Sequence, residues 1–388
     1  MKKISADYIF TGNSTPIKKG VIVVSDNGEI LEVLNPLQQK INWEEVEQHQ
    51  GIICPGFINT HCHLELSYLK GKLSEHTQLH GFVKEIIAVR NNFTVEERQK
   101  AMKNAEQEMI ANGIVAVGDI ANGNTSFHQK AKGKLNYYTF LEVFGLNPTH
   151  STEIMERANI IKKEYPNQLR ISITAHAPYS LSASLLKKVN KHGGNLLTIH
   201  NQETESENEL FLSKTGNLYE QLASFNEAIK SWEPTRKNSL PSYLSNFSTD
   251  KKILLVHNTY TNKADVDFAK NYSNSIYWCF CPNANEYIEG KQPNYELFLN
   301  EKCTIGTDSL ASNWSLSILD ELKTISKKNP SIPLETLIKW ATTNGAQFLG
   351  FDKLGSIAKG KSPSLNLIEN VDLEKMCFTE KSSLNVLF

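Results

Sequence analysis

Short apolar runs alternate with amphipathic stretches along most of the chain. Eight runs read as buried strands, at residues 51–58 leading into His61, 114–117, 137–143, 170–176, 196–200, 253–257, 275–280 and 303–308. Helical spacing lies between them. Residues 95–112 place Ala101, Met102, Ala105, Met109 and Ile110 on one face and stop at Gly113. Strands alternating with helices predict a parallel sheet. Four of the runs finish in His176, His200, His257 and Asp308. An eight-stranded (β/α)8, TIM-like barrel gathers such strand ends on one rim. The competing fold is an open doubly wound sheet, but no Gly-x-Gly-x-x-Gly turn follows an early strand.

The ends of the chain follow a different pattern. Residues 6–10, 20–25 and 29–33 are short, β-rich and separated by turn signals such as Asp26-Asn27-Gly28, and residues 354–368 resemble them. The expected organisation is a small β-sandwich unit built from residues 1–54 together with 354–388, around a barrel of residues 55–353. The tail after Lys375 reads as a peripheral end. Residues 205–252 carry no strand pattern. Helical stretches at 207–214 and 217–229 lead into a Trp-, Pro- and Ser-containing piece, which fits either a lid or a surface excursion.

Composition narrows the function classes. The 388 residues are 40% hydrophobic and 21% charged, with a net charge of −1. That balance gives no electrostatic reason for a nucleic-acid or membrane-surface partner. No run approaches the roughly 18 apolar residues of a spanning helix, so a cytoplasmic protein is expected. The six cysteines are mostly far apart and read as reduced, buried thiols. Cys279 and Cys281 can share a strand face, but no second pair completes a metal site.

Candidate chemistry begins at Phe57-Ile-Asn-Thr-His61-Cys-His63. Residues i and i+2 of a strand point the same way, so His61 and His63 reach one ion together while Cys62 turns away. With His200 and Asp308 they offer three imidazoles and a carboxylate, a set that suits Zn²⁺ or Fe²⁺ and leaves room for water. A bound divalent ion lowers the pKa of that water to about 7. Glu203, three residues past His200, is placed to act as general acid/base. His257 can orient the hydroxide, and Asp308 can take its proton. Each residue also has a plain structural reading: Glu203 as a first-turn helix acid, His257 as a core histidine, His176 as a turn former. Their arrangement on successive strand ends favours the metal site.

Together these residues resemble the amidohydrolase superfamily over nearly the whole chain. Pro55-Gly-Phe-Ile-Asn-Thr-His61-Cys-His63 is similar to its first metal motif, and His200-Asn-Gln-Glu203 to its deaminase His-x-x-Glu. Leu255-Val-His257-Asn and Gly306-Thr-Asp308-Ser-Leu-Ala-Ser-Asn313 resemble its sixth and eighth strand ends. Cys281-Pro-Asn-Ala-Asn285 resembles the segment after strand seven, and residues 355–361 its closing stretch. Strand four ends at His176, not at the bridging lysine of binuclear members. The resemblance therefore implies the mononuclear deaminase branch, with one divalent ion held by His61, His63, His200 and Asp308 and with His257 outside the ligand set. His176-Ala-Pro-Tyr179 is similar to a substrate-contacting segment of adenosine- and S-adenosylhomocysteine-type deaminases. His63-Leu-Glu65-Leu-Ser67 with Arg90-Asn91 resembles the aminodeoxyfutalosine deaminases of the menaquinone route, which implies substrate contacts for Glu65 and Arg90. The implied activity is deamination of an adenine nucleoside derivative by metal-hydroxide attack with release of ammonia. The alternative is hydrolysis of another C–N or C–Cl bond, as in guanine, triazine or cyclic amide hydrolases. A homodimer would be ordinary for the superfamily.

Overall fold

Pro55-Gly56 is where the chain changes sheets. The computed structural model describes residues 1–166 and 169–388. Strand Ile52–Pro55 belongs to a sheet built from the chain ends, whereas Phe57–Cys62 opens the parallel sheet that carries the candidate ligands. A Cβ at Gly56 would lie 2.5 Å from Val115 Cγ1 and 2.7 Å from the Pro363 carbonyl, so the crossing needs glycine.

The parallel strands are β1 (Phe57–Cys62), β2 (Ile114–Ala121), β3 (Asn136–Val143), β4 (Arg170–Ala175), β5 (Leu196–Asn201), β6 (Lys252–His257), β7 (Ile276–Phe280) and β8 (Cys303–Ile305). All eight correspond to runs expected from the sequence. They form two four-stranded parallel sheets, ordered β4-β3-β2-β1 and β5-β6-β7-β8. Hydrogen bonds cross between the sheets at both edges. Between β4 and β5, the Thr198 amide donates to Thr174 Oγ1 (2.9 Å) and the His200 amide to the His176 carbonyl (2.9 Å). Between β1 and β8, the amides of Thr307 and Asp308 both donate to the His61 carbonyl at 3.0 Å. The ends of β1, β5 and β8 thus meet in space.

Two further sheets come from the chain ends. One is ordered Ile30–Leu34, Val21–Val24, Lys2–Ser5, Glu47–Gln48; the other Ser383–Val386, Leu365–Glu369, Ile52–Pro55, Tyr8–Ile9, Ile17–Lys18. A single apolar cluster, with Ile4, Ile22, Ile30, Ile53 and Leu367 among its members, draws side chains from both. The tail after Lys375 does more than the expected peripheral end: Ser383–Val386 pairs antiparallel with Leu365–Glu369 as an edge strand. Residues 205–252 fold as the short helices Glu205–Ser213, Asn217–Phe225, Glu227–Ser231 and Ser239–Tyr243. No helix among the described residues is long and apolar enough to cross a membrane.

Helix Val95–Ala111 starts on a Thr94–Glu97 capping box, with the Glu97 amide 3.2 Å from Thr94 Oγ1. Its buried face corrects the expected one. Ile110 is exposed, and Glu106 is buried, accepting from Gln129 Nε2 (2.5 Å) and Tyr137 Oη (3.1 Å). Polar partners across the interface make that burial tolerable.

Beneath the site, Lys130 Nζ lies 2.5 Å from Asp119 Oδ2, and neither side chain is exposed. Asp119 Oδ1 accepts the Leu64 amide (2.8 Å), which anchors the turn directly after His63. Replacing one partner of a fully buried ion pair strands the other charge and typically costs about 3–5 kcal/mol. Lys130→Met is therefore expected to lower unfolding stability by about that amount in a denaturant titration, and Lys130→Met with Asp119→Asn to recover part of it. A neutral single substitution would show that the pair does not hold this turn.

Candidate active site

The strand alternation works as expected at β1. Cys62 packs into the main apolar core, while His61 and His63 face the opposite way, with their Nε2 atoms 3.2 Å apart. Asp308, just past β8, reaches both: its Oδ1 lies 3.3 Å from His63 Nε2 and 3.6 Å from His61 Nε2. Close approach of β8 depends on Gly306, where a Cβ would stand 2.7 Å from that of His61. His200, at the end of β5, closes the group. Ring nitrogens of His61, His63 and His200 lie within 4.8 Å of one another, and all three residues are buried.

These groups fit a divalent cation. Burial, the largest influence, pushes His63 down to about 3 despite the attraction of Asp308. His200 is likewise driven well below its usual value by burial and the neighbouring imidazoles. Both are neutral at pH 7, with ring nitrogens available to a metal. Burial opposes the charged form of Asp308, but hydrogen bonding from His61 and the neighbouring His63 and His257 outweigh it and hold the carboxyl well below its usual range. His61 Nδ1 is buried without a hydrogen-bond partner. Convergent nitrogen lone pairs and an ionised oxygen, closed off from water, form a donor set that a cation completes.

Each ligand is held from behind. The Asp308 Oδ2 atom accepts from Ser312 Oγ (2.5 Å), and Asp308 adopts φ 55°, a left-handed conformation that side chains other than glycine seldom take. His200 Nδ1 lies 2.7 Å from the His176 carbonyl and so donates to it, which turns Nε2 towards the centre.

A second pair faces the cluster. Glu203 Oε1 lies 3.6 Å from His257 Nε2. His257 Nδ1 is 2.9 Å from Asn285 Oδ1, and His257 and Asn258 both take positive φ, 73° and 59°. Burial, reinforced by repulsion from Asp308 and Glu289, raises the Glu203 carboxyl well above its usual value. An acid so placed holds its proton above the ordinary carboxylate range and can hand it to a bound substrate.

The remaining sequence candidates fall at different distances from this centre. His176 is half-buried against His200, with ring centroids 4.9 Å apart and its Nδ1 2.9 Å from Ser180 Oγ. Glu65 sits on the turn after His63, accepts the Asn122 amide (3.0 Å) and Thr125 Oγ1 (3.3 Å), and is raised to about 7 by burial. Arg90 is exposed at the C-terminal end of helix Gln78–Val89, where its backbone carbonyl accepts from Tyr68 and Arg98. No contact among the described residues brings Arg90 to the histidines. Supporting roles for Asn285, Ser312 and Gly306 were missed, although all three lie in the quoted motifs. Asn285 and Gly306 act on His257 and His61, residues of other strands, and Ser312 on Asp308, four residues before it.

Comparison with known proteins agrees with this architecture. Residues 52–387 match the amidohydrolase family. The chain belongs to that family and is a hydrolase acting on carbon–nitrogen bonds. It is 26% identical over 367 residues to an aminodeoxyfutalosine deaminase of Nitratiruptor sp., covering 92% of this chain and 88% of that one. Its fold matches the aminofutalosine deaminase of Helicobacter pylori in complex with methylthio-coformycin, with a TM-score of 0.77, 22% identity and 99% and 94% of the two chains covered. It also matches an adenosine deaminase from Xanthomonas campestris with bound zinc, with a TM-score of 0.71, 18% identity and 96% and 85% covered.

Two outcomes follow for stability. An ion that binds only the folded chain, at about 100 times its Kd, adds about 2.7 kcal/mol. Zinc should raise the melting temperature, a chelator should reverse the rise, and His61→Ala should abolish it. Separately, burial holds His176 near 4 against an ordinary 6.5. The unfolded chain then binds more protons between those values, so the metal-free protein should lose stability as pH falls from 6.5 towards 4. Melting curves independent of pH across that window would contradict the buried neutral imidazoles.

Proposed function

We propose that this hydrolase removes the amino group of an adenine nucleoside derivative, with 6-amino-6-deoxyfutalosine the best candidate, using one zinc ion held by His61, His63, His200 and Asp308. The observation that carries the reading is the raised, buried Glu203 beside His257, facing three clustered imidazoles and an ionised carboxylate. The similarity to the Nitratiruptor deaminase supports the substrate class. The donor set, and the zinc bound by the Xanthomonas relative, support the metal. The same reading takes the two parallel sheets as a closed (β/α)8 barrel of residues 55–353. It takes the two end sheets as a sandwich of residues 1–54 with 354–388.

When bound, the ion supplies Lewis acidity and brings the pKa of a coordinated water to about 7. The chain's own residues do the rest. His257, fixed through Asn285, directs Nε2 at the attacking water. Glu203 hands a proton to the ring nitrogen beside the amino-bearing carbon as the water oxygen adds there. Asp308 accepts the proton released from the water. The carbon–nitrogen bond then breaks as Asp308 passes its proton to the amino group, which leaves as ammonia, while the hydroxyl proton returns to Glu203 and the ring keeps the oxygen as a carbonyl. His176 lines the base side of the site, and Glu65 and Arg90 contact the sugar end.

General acid–base groups contribute about 10²–10⁴-fold. Glu203→Gln should keep stoichiometric zinc and lose rate by about that factor. An active Gln variant would remove Glu203 from this role. Ammonia release by zinc-loaded protein should be strongest with 6-amino-6-deoxyfutalosine in a panel with S-adenosylhomocysteine, methylthioadenosine, adenosine, guanine and a chlorotriazine. Turnover of another adenine nucleoside alone would keep the chemistry and replace the substrate.

A further inference from the structure

The reaction as described gives no task to Glu142, a buried acid beside the imidazole cluster. Glu142 lies near the C-terminal end of β3, is 6% exposed, and directs its two carboxylate oxygens differently. Oε2 accepts from Asn122 Nδ2 at 3.0 Å. Oε1 is buried with no hydrogen-bond partner and lies 3.4 Å from His200 Nδ1. An uncommitted carboxylate oxygen inside a protein costs free energy unless a compensating charge or donor faces it. Here the group it faces is the outer nitrogen of an imidazole whose inner nitrogen points at the cation-binding centre.

We propose that Glu142 is a positioning residue for the metal ligand His200, the carboxylate member of a carboxylate–histidine–cation arrangement. This inference rests on the reading of His61, His63, His200 and Asp308 as a metal site. The His200 Nδ1 proton is aimed mainly at the His176 carbonyl, 2.7 Å away, which fixes the tautomer. Glu142 adds acceptor density on the same side of the ring. When the inner nitrogen donates to a cation, the Nδ1–H bond becomes more polar and its attraction to Glu142 grows. The acid therefore strengthens the ligand in the bound state more than in the free one. Asn122 sets the reach of Glu142. Its side chain holds Oε2 while its backbone amide donates to Glu65 Oε1 at 3.0 Å, so the chain of contacts runs from His200 to the turn after His63.

A different assignment is a second ion held by Glu142, His176 and His200, whose candidate ligand atoms also lie within 4.8 Å of one another. The proton that His200 Nδ1 gives to the His176 carbonyl removes the lone pair such an ion would need.

The test uses full-length protein and two probes, Zn²⁺ and Co²⁺. Removing an outer-shell partner typically costs 10–100-fold in metal affinity. In chelator competition, Glu142→Ala should bind one Zn²⁺ per chain about 10–100-fold more weakly than the native protein. Glu142→Gln, which keeps an acceptor oxygen, should recover part of the loss. The visible spectrum of the Co²⁺-loaded Ala variant should shift, because the His200 ligand loses the carboxylate that polarises its outer N–H. Asn122 is exposed, so Asn122→Ala tests the same contact without disturbing a buried position, and should weaken Zn²⁺ several-fold. Native Zn²⁺ affinity in folded Glu142→Ala would overturn the proposal and leave the metal site standing, including where only KM rises. A second Zn²⁺ in the native protein that Glu142→Ala loses would overturn it in favour of direct ligation. A native protein that takes up no Zn²⁺ would overturn both this inference and the reading beneath it.

Discussion

The structure depends on holding several neutral imidazoles and one ionised carboxylate against each other, away from water. Left alone, their lone pairs repel and His61 Nδ1 finds no hydrogen-bond partner. The surrounding chain is arranged to prevent relaxation. His200 is turned by a backbone carbonyl, Asp308 is tied through Ser312 and pinned in a left-handed conformation, and His257 is fixed by Asn285. A site of this kind has lost conformational freedom before any ligand arrives, which is the usual basis of tight, geometrically selective binding.

Much of this was legible in the sequence because its signals are local. The alternation that places His61 and His63 together and Cys62 behind them follows from the two-residue period of a strand. The eight parallel strands announced themselves as short apolar runs, and four of the candidate residues lay at their ends. The helix expected at 95–112 forms over Val95–Ala111 and stops before Gly113, as its spacing indicated.

What stayed hidden was tertiary. Glu106 was not among the residues of the expected apolar face, and its partners, Gln129 and Tyr137, are supplied by other elements. Nothing in the sequence singled out Lys130, which is sealed against Asp119. Ser383–Val386 lies in the tail expected to be a peripheral end and is held in place by the register of Leu365–Glu369. In each case burial of a polar group, or pairing of an unremarkable segment, was decided by a neighbour distant in sequence.

The crossing at Pro55-Gly56 bears on the order of assembly. The strand just before the crossing is flanked by Tyr8–Ile9 on one side and Leu365–Ile368 on the other, so the segment entering β1 is framed by residues from opposite ends of the sequence. Contacts between such distant positions form against a large loop-closure entropy and tend to come late on a folding route. The approach of Asp308 to His61 spans a comparable stretch of chain. A nascent molecule would therefore hold His61 and His63 apart from Asp308 through much of folding. The candidate cation-binding geometry would mature only in the final, cooperative step, so any cation taken there would bind at the close of folding and not at its nucleus.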